Sequence, residues 1–361
     1  MTIATQVEVA NKLGLSRRAV GFALSDDPHV QKQVAAQTRQ RIVETARPLG
    51  YRPHRHAQLM RGKKSGVIGI IKTTGMVQTG VERSYFVSQA TQAAGYGLLV
   101  NELHWDETGE RRAVDAMLDA RVEGVLLAGI ANLDEAVMAE LQRLHAAKIP
   151  VVAVGGVHLP ELPFVTADYR QGMASLTKHV LSLGYRTLAL VSAIRPEEAH
   201  LPQHWGFAER LAGFREATAA GLGATGARIL HQPVTTGWAG GYALGQAVIQ
   251  SVLANGERPE ALLCSNDEMA IGALAACADA GLKVPNDIAI TGFDNTTVGQ
   301  FTRPALTTVA QPTEAVAQQA VELLLKRIRG DTISTGEELV KLPCQLVVRQ
   351  SCGVELKQET N

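Results

Sequence analysis

Two arginines at the head of a short apolar-periodic segment are the first groups in this chain with a recognisable chemistry. Arg17 and Arg18 follow directly on Ser16. A guanidinium can fork two N–H donors onto O6 and N7 of a guanine, or hold a phosphate oxygen by charge alone. Base reading needs these residues on the first turn of a helix open to solvent, the part of a helical hairpin that enters a major groove. On a merely solvated face the same pair touches phosphates only.

The elements around the arginines are of the required kind. Thr5 and Glu8 have the spacing of a capping box, and Gly14 suits the left-handed residue that closes a helix. Ser16 can cap the next one. Thr5 to Ser25 therefore reads as two short helices joined by Gly14-Leu15. Helical hairpins also occur in bundles that never meet a nucleic acid, but the charge distribution favours the nucleic-acid use. Residues 5–65 hold twelve Lys and Arg against four Asp and Glu, a balance of +8, so the rest of a chain with zero formal charge carries −8. Cations clustered beside such a hairpin are the electrostatic footprint of DNA binding.

Downstream, residues 26–37 are polar and include Pro28, and a helix is expected over about 38–47 with Pro48 in its last turn. Residues 54–62 can form a further helix that is too short to be stable alone. From Gly66 the texture becomes buried strands alternating with amphipathic helices. Expected strands run over 67–71, 98–101, 125–128, 151–154, 188–191, 261–264 and 288–292, with helices over 110–119, 133–147, 172–183, 210–219, 240–253 and 268–280. This alternation predicts an α/β body with parallel sheets covered by helices, and its length suits two doubly wound lobes.

The 361 residues are 46% hydrophobic, enough for real cores. No stretch approaches the roughly 18–20 apolar residues of a membrane span, and the start has no charged segment leading into an apolar signal core. A cytoplasmic protein is expected. Cys264, Cys277, Cys344 and Cys352 form no CxxC pair and are expected as small buried hydrophobes, without disulfide or zinc.

Several segments together carry a resemblance. Thr5 to Ser25, Gly50-Tyr-Arg-Pro53 and its continuation to Gly62, Asp168-Tyr-Arg-Gln-Gly172, Glu209-Arg-Leu-Ala-Gly-Phe214, Ser265-Asn-Asp-Glu-Met-Ala-Ile-Gly272, Val284 to Asp294 and Leu306-Thr-Thr-Val-Ala-Gln-Pro312 fall in one order. In these the chain resembles the lactose/galactose repressor family of bacterial transcription regulators over essentially its whole length.

The resemblance implies a helix-turn-helix headpiece over 1–52, a hinge helix and linker over 53–65, a body over 66–353 like a periplasmic sugar-binding protein, and a tail over 354–361. It implies lobe 1 over about 66–167 and 297–329 and lobe 2 over 168–296 and 330–353, with crossovers near Asp168, Thr296 and Gly330. That arrangement puts the strand ends at Asp168, Asn266 and Asp294 in the crevice where open parallel sheets bind ligands.

For DNA, the implied contacts are Thr5, Ser16, Arg17, Arg18 and His29 in the headpiece, then His54, Arg55, Ala57, Met60, Arg61 and Lys63 in the hinge. Met60 stands where the family usually has a Leu that wedges open a minor-groove base step, a job that a long apolar side chain can do. His29 reads equally as a surface-loop histidine, and Met60 as a core residue. His54 and His56 lack a third or fourth ligand nearby for a metal. Gly21-Phe22 replaces the Ser-Arg common in the family, and residues 31–34 add about four residues to its usual spacing.

For the small ligand, the implied contacts are Asp168, Arg210, Trp238, Asn266, Asp294 and Glu82. Sugar hydroxyls both give and accept hydrogen bonds, and sugar C–H faces lie well on aromatic rings. Asp168 and Asp294 can accept, Arg210 can donate a fork, Asn266 can do both, and Trp238 can stack. Trp238 reads also as a core residue, and Asp294 and Asn266 as helix caps. Arg195, His204 and Trp205, in a loop longer than the family's, are placed at the cleft mouth.

The expected function is that of a repressor of carbohydrate-utilisation genes, a homodimer on a palindromic operator, switched by a sugar-like effector. No cofactor, catalytic residue or membrane partner is expected. A sugar-processing enzyme on a Rossmann-like body is the alternative, weakened by the lack of GxGxxG after a strand and of GxxxxGK[ST]. A solute-binding transport component would leave the basic head unexplained. No leucine heptads precede Asn361, so a dimer rather than a tetramer is expected.

Overall fold

The computed structural model describes residues 4–25, 28–51, 64–73, 78–103, 109–128, 135–156, 158–201, 204–222, 227–232, 240–256, 258–333 and 338–354. The chain divides into two compact units, Met1–Ser65 and Gly66–Asn361.

In the first unit, α1 (Gln6–Leu13), α2 (Arg17–Ala23), a short α3 (Pro28–Gln31) and α4 (Ala36–Ala46) enclose a small core of Val9, Ala10, Val20, Ala23, Ile42 and Ala46. The helix boundaries follow from local chemistry. Thr5 and Glu8 form the reciprocal capping box, Gly14 closes α1 with φ +66°, and Ser16 accepts from the Ala19 N–H at 3.2 Å. Helix α4 ends at Ala46, so Pro48 lies beyond it rather than in its last turn. A proline there removes no intrahelical bond.

The second unit holds two parallel sheets. The first has β1 (Val67–Thr73), β2 (Gly97–Leu103), β3 (Gly124–Leu127), β4 (Val151–Val154), β5 (Phe164–Asp168) and β11 (Leu339–Pro343) in the order β11-β5-β4-β3-β1-β2. The second has β6 (Leu188–Val191), β7 (Ala227–Leu230), β8 (Ala261–Cys264) and β9 (Ala289–Thr291) in the order β7-β6-β8-β9. Strands β3, β4, β6 and β8 are buried at every position. Such strands must be covered on both faces, which is why helices flank them.

The flanking helices of the first sheet are α5 (Gln78–Ala93), α6 (Gly109–Asp119), α7 (Glu135–Ala146) and α12 (Thr313–Arg329). Those of the second are α8 (Tyr169–Ser182), α9 (Trp205–Leu222), α10 (Gly240–Asn255) and α11 (Asp267–Asp279). Helices α10 and α11 touch backbone to backbone: a Cβ on Gly245 would fall on the Met269 carbonyl oxygen, and one on Gly272 on that of Tyr242.

The chain leaves the first sheet at Asp168 and enters α8 at Tyr169. The other two crossings differ from expectation. Residues 297–310 stay with the second lobe, because Thr307 and Ala310 bridge in parallel to Thr291 and Asp294. The return therefore comes at Gln311-Pro312, just before α12 packs on the first sheet. The last crossing falls at Pro343-Cys344 rather than near Gly330, since β11 pairs in register with β5, from Leu339 opposite Phe164 to Pro343 opposite Asp168. Strand β12 (Gln345–Val347) then runs antiparallel to β10 (Thr308–Ala310). All four cysteines are buried, and burial pushes the Cys277 and Cys344 thiols up to about 11 and about 12.

Candidate functional site

The headpiece presents its arginines by short-range means. Ser16, Arg17 and Arg18 are exposed at the head of α2, while Val20 and Ala23 further along it are buried in the core. Arg18 lies 5.1 Å over the Phe22 ring, so the phenylalanine that replaces a usual polar residue stacks the neighbouring guanidinium. His29 is exposed on α3. The extra residues around it are tied down. Gln31 donates to the Ser25 carbonyl at 2.5 Å and accepts from Arg39 at 2.9 Å, and Val34 packs on the core. Glu8 is held below the usual carboxylate range, chiefly by the Thr5 backbone N–H. The hinge residues His54, Arg55, Ala57, Met60, Arg61 and Lys63 lie outside the described residues, as does Trp238.

In the body, the structure joins Arg210 and Asp294. Arg210 Nη2 donates to Asp294 Oδ1 at 3.2 Å, and both side chains are at most 8% exposed. The guanidinium carbon sits 4.4 Å over the Phe293 ring and 4.5 Å over that of Tyr169, so two aromatic faces hold its plane. Gln311 Nε2 adds a 2.5 Å bond to the same Asp294 oxygen. Burial pushes the Asp294 carboxyl up to about 7 despite the opposing pull of Arg210. The backbone there is unusual. Asp294 has φ +126° and Asn295 φ +55°. Conformations of this kind cost on the order of 1–3 kcal/mol and persist only where surroundings hold them. Arg349 does the holding, bonding Asn295 Oδ1 and the Leu306 carbonyl, each at 2.7 Å.

Asp168 and Asn266 are helix caps. Asp168 accepts from the Gln171 N–H at 3.0 Å at the head of α8, and Asn266 from the Met269 N–H at 2.9 Å at the head of α11. A cap uses one side-chain atom, leaving Asp168 Oδ2 and Asn266 Nδ2 for other partners. Asn266 adjoins the Arg210–Asp294 pair through its neighbour, whose N–H donates to the Phe293 carbonyl. That neighbour, Asp267, is fully buried and accepts from Thr296 and Thr308, so it holds the 294–296 turn. Glu82, on α5, accepts from Gln78 at 2.6 Å and lines a cavity of about 460 Å³ with Phe86, Gln311, Pro312 and Thr313.

Two further residues take part. Gln311 connects Asp294 to the Glu82 cavity, and it stands in a motif already singled out. Gln78 spans the two lobes, exchanging bonds of 3.0 and 3.1 Å with the side chain and backbone of Thr297. No motif marked it. Two of the residues expected at the cleft mouth have partners of their own. Arg195 binds Glu198 within its own turn, and Trp205 packs on Phe164, Tyr169 and His158 where the chain crosses between lobes.

The arrangement is one of hydrogen-bonding and stacking groups around a crevice. Residues 177–352 match the model of the periplasmic binding protein-like domain. The HTH-type transcriptional regulator MalR of Streptomyces coelicolor is 30% identical over 349 residues, covering 95% of each chain. The chain belongs to the lactose/galactose repressor family.

Other members agree along the length of this family protein. Catabolite control protein A of Priestia megaterium is 28% identical over 349 residues, 96% of this chain and 98% of that one. In fold, a lac repressor dimer solved with operator and an anti-inducer superposes with a TM-score of 0.79 at 24% identity, over 97% of this chain and 99% of that chain. No helix among the described residues is long and apolar enough to cross a membrane.

Proposed function

We propose that this family member is a cytoplasmic repressor of carbohydrate-utilisation genes that grips a pseudo-palindromic operator as a homodimer and is switched by a polyhydroxylated effector in the interlobe crevice. The observation that carries the reading is the presence, in one chain, of an exposed Ser16-Arg17-Arg18 helix start on a basic unit and the buried Arg210–Asp294 pair, joined by the half-buried Gln311, between two lobes. The first suits base edges and phosphates; the second suits hydroxyls.

In this reading Arg17 and Arg18 read bases, Thr5, Ser16 and His29 steady the headpiece on the backbone, and the hinge adds His54, Arg55, Ala57, Arg61 and Lys63 with Met60 as wedge. Asp168, Asn266, Asp294, Glu82 and Arg210 hold the effector, with Trp238 as its stacking platform. Twofold symmetry of the dimer matches the two half-sites. The effector acts by preferring one lobe arrangement over the other, and such coupling runs equally toward release or tightening. The regulatory names of the relatives support the role, and the lac repressor dimer with operator supports the assembly.

Operator binding measured by fluorescence anisotropy at several salt concentrations, with the full chain and with residues 1–62 removed, tests this. Log K is expected to fall with log salt by about 0.9 per neutralised phosphate, and the truncated body to lose DNA while keeping its ligand. A flat salt response, or DNA binding retained without the headpiece, would overturn the reading.

A further inference from the structure

Arg83 is the unexplained charge of the crevice. It lies on α5, one residue past Glu82, and its guanidinium is laid against Gly155, where a Cβ would come within 2.6 Å of the guanidinium carbon. Gly155 has φ +96° and directly follows β4, so it stands at the carboxyl end of the first sheet. The place is interlobe. The next residue, Gly156, accepts at 3.0 Å from the Gly206 N–H of α9, and a Cβ on Gly206 would meet Gly156 and the Tyr169 ring. Tyr169 is one of the rings that carries Arg210.

Two guanidinium groups thus approach this crevice, one from each lobe. Each has a buried Nε without an acceptor among the described residues. Arg210 is otherwise matched by Asp294. Arg83 has no carboxylate within ion-pairing distance among the described residues; its neighbour Glu82 is engaged by Gln78 instead. A partly buried cation with an orphaned donor carries a desolvation cost that a charged acceptor removes. The glycine pair permits the approach: any side chain at 155 would push the guanidinium out of its seat.

The geometry points to an effector that is a polyol bearing an anionic group, a carboxylate or a phosphate, with that group on Arg83 and its hydroxyls on the Arg210–Asp294–Gln311 side. This rests on the crevice being the effector site and names the chemical class that enters it. Asp168 and Glu82 remain as acceptors for hydroxyls, which an anionic polyol also carries.

The test uses the full chain and matched sets of probes: glucose, gluconate and glucose 6-phosphate, and the corresponding galactose and ribose sets. Binding is followed by calorimetry and thermal shift at constant ionic strength. Inorganic phosphate controls for anions held by the basic headpiece. At least one acid or phosphate is expected to bind tenfold or more tighter than its neutral parent; whether acid or phosphate wins identifies the anion.

Arg83→Met is expected to remove that difference, a loss of roughly ten- to a hundredfold for the anionic probe, as for a hydrogen bond to a charged group. Arg83→Lys, which keeps the charge but not the fork, restores part of it. Operator binding retained by ligand-free Arg83→Met, with a thermal unfolding midpoint no lower than the wild type's, shows that the fold is intact. A neutral sugar that binds as tightly as its anionic partners, or an anionic preference that survives Arg83→Met, overturns the inference. If that neutral sugar is lost in Asp294→Asn, the crevice reading stands without it. If no probe binds, both fall.

Discussion

The headpiece and the interlobe crevice use the same side chain for opposite ends. Arg17 and Arg18 stand exposed on a seven-residue helix whose start is set by Ser16, next door in sequence. Arg210 is buried, held by an aspartate 84 residues away and by rings at 169 and 293. A polyanion the size of DNA comes to the surface and needs only a correctly capped helix. A small molecule must be enclosed, and enclosure needs groups brought from far apart. The difference teaches that damage to the first kind of site should be functional and to the second kind structural as well.

The largest effect that would sharpen this contrast is at Arg210. Arg210→Ala leaves Asp294 buried without its cation, and removing one partner of such a pair costs about 3–5 kcal/mol. Urea unfolding of the body should show that loss. A fall within about 0.5 kcal/mol, the range of an ordinary surface substitution, would break the comparison.

Arg17→Ala or Arg18→Ala is expected to do the reverse. Unfolding should be unmoved, while operator affinity falls by about 1–3 kcal/mol, with relaxed preference at the base opposite. A uniform weakening across operator sequences, with a smaller salt slope, would assign the residue to phosphate.

The raised Asp294 carboxyl adds a pH signature to the buried site only. Between its ordinary value near 3.8 and its folded value of about 7, the folded protein keeps a proton that the unfolded chain has lost. The stabilisation is therefore full at acid pH and disappears as pH rises through about 7. Its slope is at most about 1.4 kcal/mol per pH unit. Comparing wild type with Asp294→Asn between pH 5 and 8 isolates it from Asp267 and Glu268, which burial also raises. Parallel curves for the two proteins would mean that Asp294 is ionised throughout.

The smallest effect belongs to the headpiece. A Cβ on Gly21 would meet only the Gln6 side chain, at 3.5 Å, an ordinary contact. Gly21→Ala should therefore stabilise the headpiece by up to about 1 kcal/mol, the usual helix preference. Destabilisation would show that α2 needs that close approach to α1.

Legibility in the sequence followed the range of the forces. The caps at Thr5, Gly14 and Ser16 were readable because each is settled within three or four residues. Strands β3, β4, β6 and β8 were readable because they are short apolar runs, and β1 because its first five residues, Val67 to Ile71, are Val, Ile and one Gly. Strands β5, β7 and β10 to β12 were not. Phe164–Asp168 mixes Thr and Asp into its run, and Leu339–Pro343 alternates exposed with half-buried positions at the sheet edge. Their identity lies in their partners: missing β11 displaced the last expected crossing, and missing β10 with its bridges to 291 and 294 displaced the one before it. The proposed effector residues are marked by motif resemblance, yet Gln311, in one of those motifs, is not, because nothing local says that its amide reaches Asp294.

By itself the sequence determined the basic head, the capped hairpin that carries Arg17 and Arg18, and the α/β texture of the body. These depend on composition and on neighbours a turn away. Only the tertiary structure decided that Asp168 and Asn266 cap helices while Asp294 pairs with Arg210, that Gln78 ties one lobe to the other, and that Arg83 lies on Gly155 with no counter-charge among the described residues. Each of those outcomes is a competition for one buried partner among residues tens to hundreds of positions apart, and burial, which raises the cost of leaving any polar group unmatched, is settled only when the sheets are assembled.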